Sequence, residues 1–244
     1  MPTKTVRKGL LGLEDLTRGI SILSRGTSIG GTQSITQLSS TALTAGRPWF
    51  DVKDYGAVGD GTTDDKAAIQ AAITAAEAAN GAVYFPPSAS FYKVASAGFS
   101  LKRSTRLMGA PGSTIKLTAS SGTLLTFGSG ADTSWLPGGV ENCTLTGNGG
   151  ASDTSIAVQI GNAGNSAHGV TLVGTEISSC GNCVVISGSG DAFGWVIDRA
   201  RIHNNAFNGL RIDTPFATGF ETATICNSFI FNNGNSQATG AGIQ

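Results

Sequence analysis

The sequence contains few charged residues. Only 13% of its 244 residues are Asp, Glu, Lys or Arg, and sixteen basic residues balance sixteen acidic ones. Nucleic-acid-binding proteins usually present a basic face, so this balance argues against a nucleic-acid partner. Small residues take the place of charged ones, and Gly alone accounts for 35 positions. Such a composition favours repetitive β structure over a helical bundle.

Long apolar runs and cysteines are scarce too. No apolar run approaches the roughly 20 residues that cross a bilayer as a helix, so we expect no membrane insertion. Glu14, Asp15 and Arg18 interrupt the apolar residues near the N-terminus, which is not the pattern of a secretory signal peptide. The four cysteines are too few for a disulfide scaffold. No spacing of His, Cys and carboxylate residues indicates a metal site, and we expect neither a metal nor any other cofactor.

Residues 1–47 differ in composition from the rest of the chain. Between residues 10 and 23 they carry seven large aliphatic side chains, and a stretch rich in Ser, Thr and Gly follows. The segment is too short to bury a core of its own. It is either a disordered leader or an anchor that becomes ordered against a partner or a symmetry mate, and its aliphatic content favours the anchor. Arg47-Pro48 is the predicted boundary with a second domain at 48–244.

A glycine-rich turn at 56–61 leads into a predicted helix. Alanines and two isoleucines four residues apart predict this helix at Lys66–Ala79, within a capping unit at 62–80. Asp64 and Asp65 stand at its start, so we interpret them as structural N-caps and not as catalytic carboxylates. The apolar stripe of the helix is narrow, which suits a lid over one small surface.

Four segments in the second half of the chain align as internal repeats. Their aliphatic residues fall into three columns, of which the first two lie five residues apart. The first column holds Val140, Leu172, Ile197 and Ile225, the second Leu145, Ile177, Ile202 and Ile230, and the third Val158, Val184, Leu210 and Ile243. Three short strands per repeat predict an all-β fold, namely a parallel β-solenoid whose coils stack about 4.8 Å apart.

One turn position also repeats. Three residues after each second-column residue stand Asn148, Cys180, Asn205 and Asn233. Asparagine tolerates the left-handed backbone of tight turns, and asparagines in consecutive coils can stack as a hydrogen-bonded ladder. We therefore predict an asparagine ladder at Asn148, Asn205 and Asn233.

The two ends of the solenoid are expected to differ. An unpaired coil invites end-to-end association unless it is capped, and the predicted helix precedes the first coil, where it can close the opening. At the other end, 241–244 reads as the start of another third-column strand with no cap after it. We expect the chain to be truncated mid-solenoid, as a fragment of a longer protein.

Three stretches resemble the opening of the pectate-lyase-type superfamily of right-handed parallel β-helices: DYGAVGDGTTDDKAAIQAAI at 54–73, VYFPP at 83–87 and F-Y-x-V at 91–94. That superfamily includes polygalacturonases, pectate lyases, epimerases and many phage tailspikes. KGLLGLEDL at 8–16 is similar to the leader that precedes such β-helices in some phage tail proteins. The resemblance implies a right-handed β-helix with three-strand coils, in a bacteriophage tailspike or tail fibre.

The resemblance also implies partners and a location. Such proteins are homotrimers attached to the virion tail through their N-termini, here residues 1–47, and they bind and often cleave host surface polysaccharide. We therefore expect a homotrimer, a tail or baseplate partner and a polysaccharide ligand. Alternatives are a non-catalytic structural or adhesive tail protein and a secreted polysaccharide lyase or hydrolase. The sequence leaves open whether the chain is an enzyme, and it assigns no catalytic or substrate-binding residue.

Glycan cleavage needs two carboxylates across the glycosidic bond or a base for β-elimination. The repeats contain carboxylates at outward or turn positions, each of which an ordinary solvated surface charge also explains. They are Glu176, Asp191, Asp198 and Asp213, with Arg199 and Arg211 close to the last two. His168 and His203 have no cluster of His or Asp near them in the sequence, so we expect turn roles for both.

Cysteines and tryptophans complete the set of candidates. Cys180-Gly-Asn-Cys183 is a CxxC motif, but no second ligand pair accompanies it, and Cys180 occupies the ladder position. We interpret both cysteines as free thiols that pack as small apolar side chains. Trp135 and Trp195 could stack on sugar rings or pack in the core, and the sequence does not distinguish the two roles.

Overall fold

A computed structural model describes residues 49–128, 137–161, 169–187, 194–213, 223–234 and 243. These residues form a right-handed parallel β-helix of three sheets, which confirms the β-solenoid predicted from the repeats and the fold implied by the family resemblance. All of them belong to one compact unit, Thr44–Gln244. The predicted anchor at 1–47 lies outside the described residues, so the boundary at Arg47-Pro48 stays a prediction.

Each complete coil in the described residues gives one short strand to each sheet. The first sheet contains β1 (Trp49–Asp51), β2 (Ala82–Phe85), β5 (Arg106–Gly109), β8 (Gly139–Glu141), β11 (Thr171–Val173), β14 (Trp195–Asp198) and β17 (Ala223–Cys226). The second sheet contains β3 (Tyr92–Val94), β6 (Thr114–Leu117), β9 (Thr144–Thr146), β12 (Glu176–Ser178), β15 (Arg201–His203) and β18 (Phe229–Phe231). The third sheet contains β4 (Phe99–Leu101), β7 (Thr123–Phe127), β10 (Ile156–Ile160), β13 (Asn182–Ile186) and β16 (Leu210–Ile212).

The register of the strands matches the three predicted columns. Leu172 pairs with Val140 on one side and with Ile197 on the other, and all three side chains are fully buried. Residues of one column stack because every inward position of a coil must present an apolar side chain to the core. The other two columns pair in the same way, as Leu145–Ile177–Ile202–Ile230 and Val158–Val184–Leu210–Ile243.

The stack of coils begins earlier than the aligned repeats. Leu107 of β5 pairs with Val83 of β2 as well as with Val140, so the first column extends towards the N-terminus. Phe50 of β1 pairs in turn with Val83. The short apolar segments between residues 82 and 127 are therefore complete coils of the same solenoid.

The predicted helix is present at the predicted residues, and we name it α1 (Lys66–Ala79). Its narrow stripe of Ile69, Ala72, Ile73 and Ala76 is buried in the main hydrophobic core, where the helix packs against β1 and β2. The helix ends at Asn80, whose φ of 50° is left-handed, as expected for an asparagine stop. No helix in the described residues is both long enough and apolar enough to cross a membrane.

Asp65 does not cap the helix, and this part of the prediction is corrected. Asp65 takes the N-cap position with helical backbone angles (φ −84°, ψ 0°), whereas a capping residue is normally extended, and its side chain makes no capping hydrogen bond. The buried carboxylate instead accepts hydrogen bonds from the amides of Val58 at 2.6 Å, Gly59 at 3.2 Å and Lys93 at 3.1 Å. It thereby ties the glycine turn to β3.

Asp64 does reach the helix. Its Oδ1 accepts from the amide of Lys66, the first residue of α1, at 3.3 Å, and from the amide of Ala95 at 3.2 Å. The side chain is exposed to solvent. Asp64 therefore joins the start of α1 to the end of β3 from the surface.

A hydrogen-bonded ladder follows the second sheet. The Asn205 Nδ2 group donates to Asn233 Oδ1 at 2.7 Å, and Asn205 Oδ1 accepts from the amide of Cys180 at 2.9 Å. Asn205 is fully buried, so these contacts replace the water that its amide group gives up. Cys180 has no amide side chain, and the ladder of side chains ends at its coil.

Asn148 lies outside this ladder. It is exposed, and in the described residues no hydrogen bond joins its side chain to Cys180, Asn205 or Asn233. The turns that carry the ladder place a left-handed residue directly before it, for example Asn204 with a φ of 56°. Neither Gly147 nor Asn148 has a positive φ, so this turn has a different shape and aims the Asn148 side chain elsewhere.

Candidate functional site

The outer face of the first sheet presents side chains that alternate with core residues. Leu107 and Val140 are fully buried, while their neighbours Arg106 and Glu141 retain 47% and 27% side-chain exposure. Parallel strands in register place outward residues of adjacent coils about 4.8 Å apart, however distant they are in the sequence. The solenoid therefore builds its outer surface from rows of side chains that run along its axis.

A groove of about 410 Å³ crosses this face. On one side it is bounded by the end of α1 and by the turn before β5, and on the other by the residues before β8 and by β11. It is lined by Asn80, Gly81, Ala82, Ser104, Arg106, Pro137, Glu141 and Thr171.

Gly139 lies between two residues that line the groove. It pairs with Arg106 of β5 on one side and with Thr171 of β11 on the other, so a residue without a side chain separates these two lining residues. Its φ is 142°, and a Cβ there would lie 1.9 Å from the Thr171 carbonyl oxygen. Only glycine fits at this position, so no side chain stands between Arg106 and Thr171 in this row.

An ion pair crosses the groove floor. The Arg106 Nη2 atom lies 2.7 Å from Glu141 Oε1, across the boundary between two coils. A surface pair of this kind stabilises a fold by only about 0–1 kcal/mol. It does place the guanidinium donors of Arg106 beside a carboxylate acceptor, and Ser104 and Thr171 add hydroxyl groups on the two sides of the groove. This set can bind the hydroxyl and carboxylate groups of a sugar.

The turn before β5 is fixed from behind by α1. The Glu77 Oε1 atom accepts from the amide of Lys102 at 3.0 Å and from the Thr105 hydroxyl at 2.6 Å. The carbonyl group of Thr105 in turn accepts from the amide of Gly139 at 2.9 Å. One chain of hydrogen bonds thus joins the helix, the groove wall and the groove floor, which favours a preformed site.

Asp198 lies in the same outward row as Glu141, two coils further along. It accepts from Asn227 Nδ2 at 3.0 Å and from Cys226 Sγ at 3.4 Å, and it pairs with Arg199 at 3.1 Å. These contacts, above all the hydrogen bond from Asn227, hold the pKa of Asp198 below its ordinary range. An ionised carboxylate suits the binding of a sugar hydroxyl better than the donation of a proton to a leaving group.

The carboxylates predicted from the sequence do not form one site. Asp198 is on the first sheet and Glu176 on the second, while Asp213 follows the third sheet and pairs with Arg211 at 2.9 Å. Asp191, His168 and Trp135 lie outside the described residues. Trp195 is only 1% exposed, so it packs in the core and cannot stack on a sugar ring.

His203 has a charged neighbour, contrary to the sequence-based expectation of a simple turn role. Its Nε2 atom lies 2.9 Å from Glu176 Oε1. The two residues are 27 positions apart, but β12 and β15 are adjacent strands, so the coil brings them together. Neither residue lines the groove.

The cysteines are free thiols, as predicted. Burial raises the pKa of Cys143 and of Cys180 to about 12, and it also raises the pKa of Cys183 well above the ordinary thiol value. Thiols that stay protonated at neutral pH are poor nucleophiles and poor metal ligands. The described residues contain no cluster of His, Cys, Asp and Glu that could hold a metal ion.

Sequence reasoning did not single out Arg106 and Glu141. They are 35 residues apart and belong to no motif. Their neighbours carry the signal that could have found them, because Leu107 and Val140 occupy one column. Extending the aligned repeats by one coil would have placed both charges on the same outer face.

The sequence model of one protein family, described as rhamnogalacturonase A/epimerase, pectate lyase-like, matches residues 49–244. Two mannuronan C5-epimerases of Azotobacter vinelandii are similar over a shorter stretch. AlgE6 is 58% identical over 50 residues, which are 20% of this chain and 6% of that protein. AlgE4 is 55% identical over 49 residues, which are 20% of this chain and 9% of that protein. The chain therefore matches less than a tenth of the length of either relative.

Two solved structures extend the similarity. The A-module of AlgE4 from Azotobacter vinelandii superposes with a TM-score of 0.56 and 26% identity, over 76% of this chain and 58% of the module. ORF18 of Geobacillus virus E2 superposes with a TM-score of 0.51 and 21% identity, over 97% of this chain and 47% of that protein. At this lower identity the viral protein shares the fold alone.

Proposed function

The chain belongs to the rhamnogalacturonase A/epimerase, pectate lyase-like family, and we propose that the outer face of its first sheet binds a polysaccharide. The observation that carries this proposal is the groove lined by Arg106, Glu141 and Thr171, which holds the Arg106–Glu141 pair. A groove lined by charged and hydroxyl side chains suits sugars, because these side chains can both donate hydrogen bonds to sugar hydroxyls and accept them.

We propose further that the protein acts in a phage tailspike or tail fibre. The support is the similarity of KGLLGLEDL at 8–16 to the leaders of some phage tail proteins. In this proposal residues 1–47 attach the chain to the tail or baseplate, and the β-helix binds host surface polysaccharide. The fold shared with the Geobacillus virus protein is compatible with this role but adds no independent argument.

A phage spike of this kind is a homotrimer. Light scattering of the full chain is expected to give three times the chain mass of 24.7 kDa. A monomer at micromolar concentration would count against the tailspike proposal, while the polysaccharide-binding proposal would stand.

The polysaccharide-binding proposal is tested with a panel of immobilised bacterial capsular polysaccharides and lipopolysaccharides. Mannuronan joins the panel because two relatives are named mannuronan C5-epimerases. We expect saturable binding of the full chain to at least one member. Binding to none of them would overturn the proposal.

The same panel separates a depolymerase from an adhesin. Chromatography of the supernatant detects oligosaccharides that an enzyme releases. Release supports a depolymerase, whereas binding without release supports a non-catalytic adhesive tail protein.

A further inference from the structure

The second sheet has an outer surface that the groove does not include. We define the aromatic patch as Glu176, Arg201, His203, Phe229 and Phe231, on β12, β15 and β18. In the first of its two rows, Glu176 pairs with Arg201, which pairs with Phe229. In the second row, His203 pairs with Phe231.

The two phenylalanines point away from the core. Phe229 is 67% exposed and Phe231 is 37% exposed, while Ile230 between them belongs to the inward second column. Other exposed apolar residues of the last coil, such as Ile225, belong to inward columns. Two outward phenylalanines on one three-residue strand form an apolar surface that core packing does not explain.

Polar contacts hold the middle of the patch in place. The His203 ring stacks on Phe231 with centroids 5.0 Å apart and planes at 14°, while its Nε2 contacts Glu176 Oε1. Glu176 keeps 43% side-chain exposure and retains lone pairs for a further donor. The patch therefore presents aromatic rings beside hydrogen-bonding groups whose positions are already set.

Arg201 is the charged residue of the patch that is available to bind an anionic ligand. It is exposed, and among the described residues it makes no salt bridge, because Glu176 contacts His203 and Asp198 pairs with Arg199. Arg201 and Glu176 also line a hollow of about 150 Å³ at the corner between the first and second sheets, together with Thr144. A guanidinium group facing such a hollow can bind a carboxylate or another oxyanion through two parallel hydrogen bonds.

We propose that the aromatic patch and this hollow form a second glycan-binding site, which takes an acidic sugar. The apolar face of the sugar ring packs on Phe229, and its anionic group enters the hollow and pairs with Arg201. Glu176 accepts from a sugar hydroxyl. This inference rests on the proposed function, and it adds a second point of attachment on a different sheet, which would raise the avidity for a long polysaccharide.

The test is calorimetric titration of the full chain with mannuronan and polygalacturonate, and with dextran as a neutral polymer. We expect two classes of site for an acidic polymer and none at the patch for dextran. Phe229→Ala and Arg201→Ala are each expected to weaken the patch sites about tenfold, as removal of a central aromatic or arginine contact does. Arg201→Lys keeps the charge but loses the two-pronged geometry, so an intermediate loss is expected.

Matched controls are Val58→Ala, an exposed apolar residue on the glycine turn, and Arg211→Ala, an outward arginine on the third sheet. Both are expected to bind like the wild type. Circular dichroism and thermal midpoints of all variants check that the fold is intact.

The outcomes separate this inference from the proposed function. If Arg106→Ala abolishes binding and the patch variants bind like the wild type, the second site is overturned and the groove is supported. If only the patch variants reduce binding, the assignment of the groove as a binding site is overturned and the patch is supported. If Phe229→Ala alters the oligomeric state and leaves glycan binding unchanged, the patch is a protein contact and the inference is overturned. Binding of no acidic polymer at all overturns the inference, while binding of any other polysaccharide of the panel keeps the proposed function.

Discussion

The carboxylates in the turn before α1 differ in burial, and burial determines how much each one contributes to the stability of the fold. Asp65 is 1% exposed and accepts from three backbone amides, whereas Asp64 is exposed and accepts from two. A buried amide that loses its acceptor cannot turn to water, while an exposed one can. The adjacent residues therefore have unequal energetic roles.

Asp65→Ala is expected to lower the free energy of unfolding by about 3 kcal/mol, because it leaves buried donors unsatisfied. Asp64→Ala should cost less than about 1 kcal/mol. Urea denaturation followed by circular dichroism measures both. Equal costs for the two substitutions would contradict the assignment of Asp65 as the buried tie between the glycine turn and β3.

Asp60 makes the glycine turn sensitive to acid. Its carboxylate accepts from the amides of Thr63 at 2.7 Å and Thr62 at 2.8 Å, and these hydrogen bonds hold its pKa well below the ordinary value. The folded chain thus resists protonation more than the unfolded chain does. The contribution of Asp60 to stability is complete above the unfolded pKa of about 3.9 and is lost as the pH falls below that value.

Asp60→Asn is the matched variant, because asparagine resembles the protonated acid in shape. We expect the wild type to exceed the variant in urea midpoint at pH 7, and we expect this difference to shrink at pH 3. A difference that stays constant between the two pH values would show that the charge of Asp60 has no part in the turn.

At the scale of single elements, the turn after the second sheet depends on one asparagine. Asn205 joins two coils through its side chain, and it also donates to the carbonyl oxygen of His203 at 2.8 Å. Its donors and acceptors are satisfied only while Cys180 and Asn233 keep their places. The ladder therefore couples three consecutive coils.

Asn205→Ala is expected to destabilise the chain by about 2 kcal/mol, because the amide of Cys180 and the side chain of Asn233 lose a buried partner. Asn148→Ala provides the control, since it removes an exposed asparagine from the equivalent turn of an earlier coil and should change stability by less than about 0.5 kcal/mol. Thermal unfolding of both variants measures the two losses of stability. Similar losses would indicate that Asn148 belongs to the ladder after all.

At the scale of the whole molecule, the core is far easier to predict than the surface. Each inward position must be apolar, so Leu172 and Ile197 can be aligned although 25 residues separate them. The helix is equally predictable, because its alanines, the spacing of its isoleucines and the asparagine that ends it all predict a helix at Lys66–Ala79. These signals specify coils and a cap with little ambiguity.

The groove was not predicted, for physical reasons. Outward positions accept almost any side chain, and connections of variable length hide which of them share a row. Arg106 and Glu141 therefore carry no pattern of their own, and Gly139, on the same strand as Glu141, is one glycine among 35. Asp65 was misassigned because a sequence shows that a carboxylate precedes a helix but not the backbone angles that aim it.

The central claim is that the groove on the first sheet binds polysaccharide, and filling the groove tests it most directly. Thr171→Trp places an indole over Gly139, while Thr126→Trp places the same ring on the outward face of the third sheet as a control. The measurement is the affinity of the folded variants for the panel polysaccharide that binds the wild type most tightly. We predict at least a tenfold loss for Thr171→Trp and none for Thr126→Trp. Wild-type affinity in Thr171→Trp would contradict the assignment of the groove.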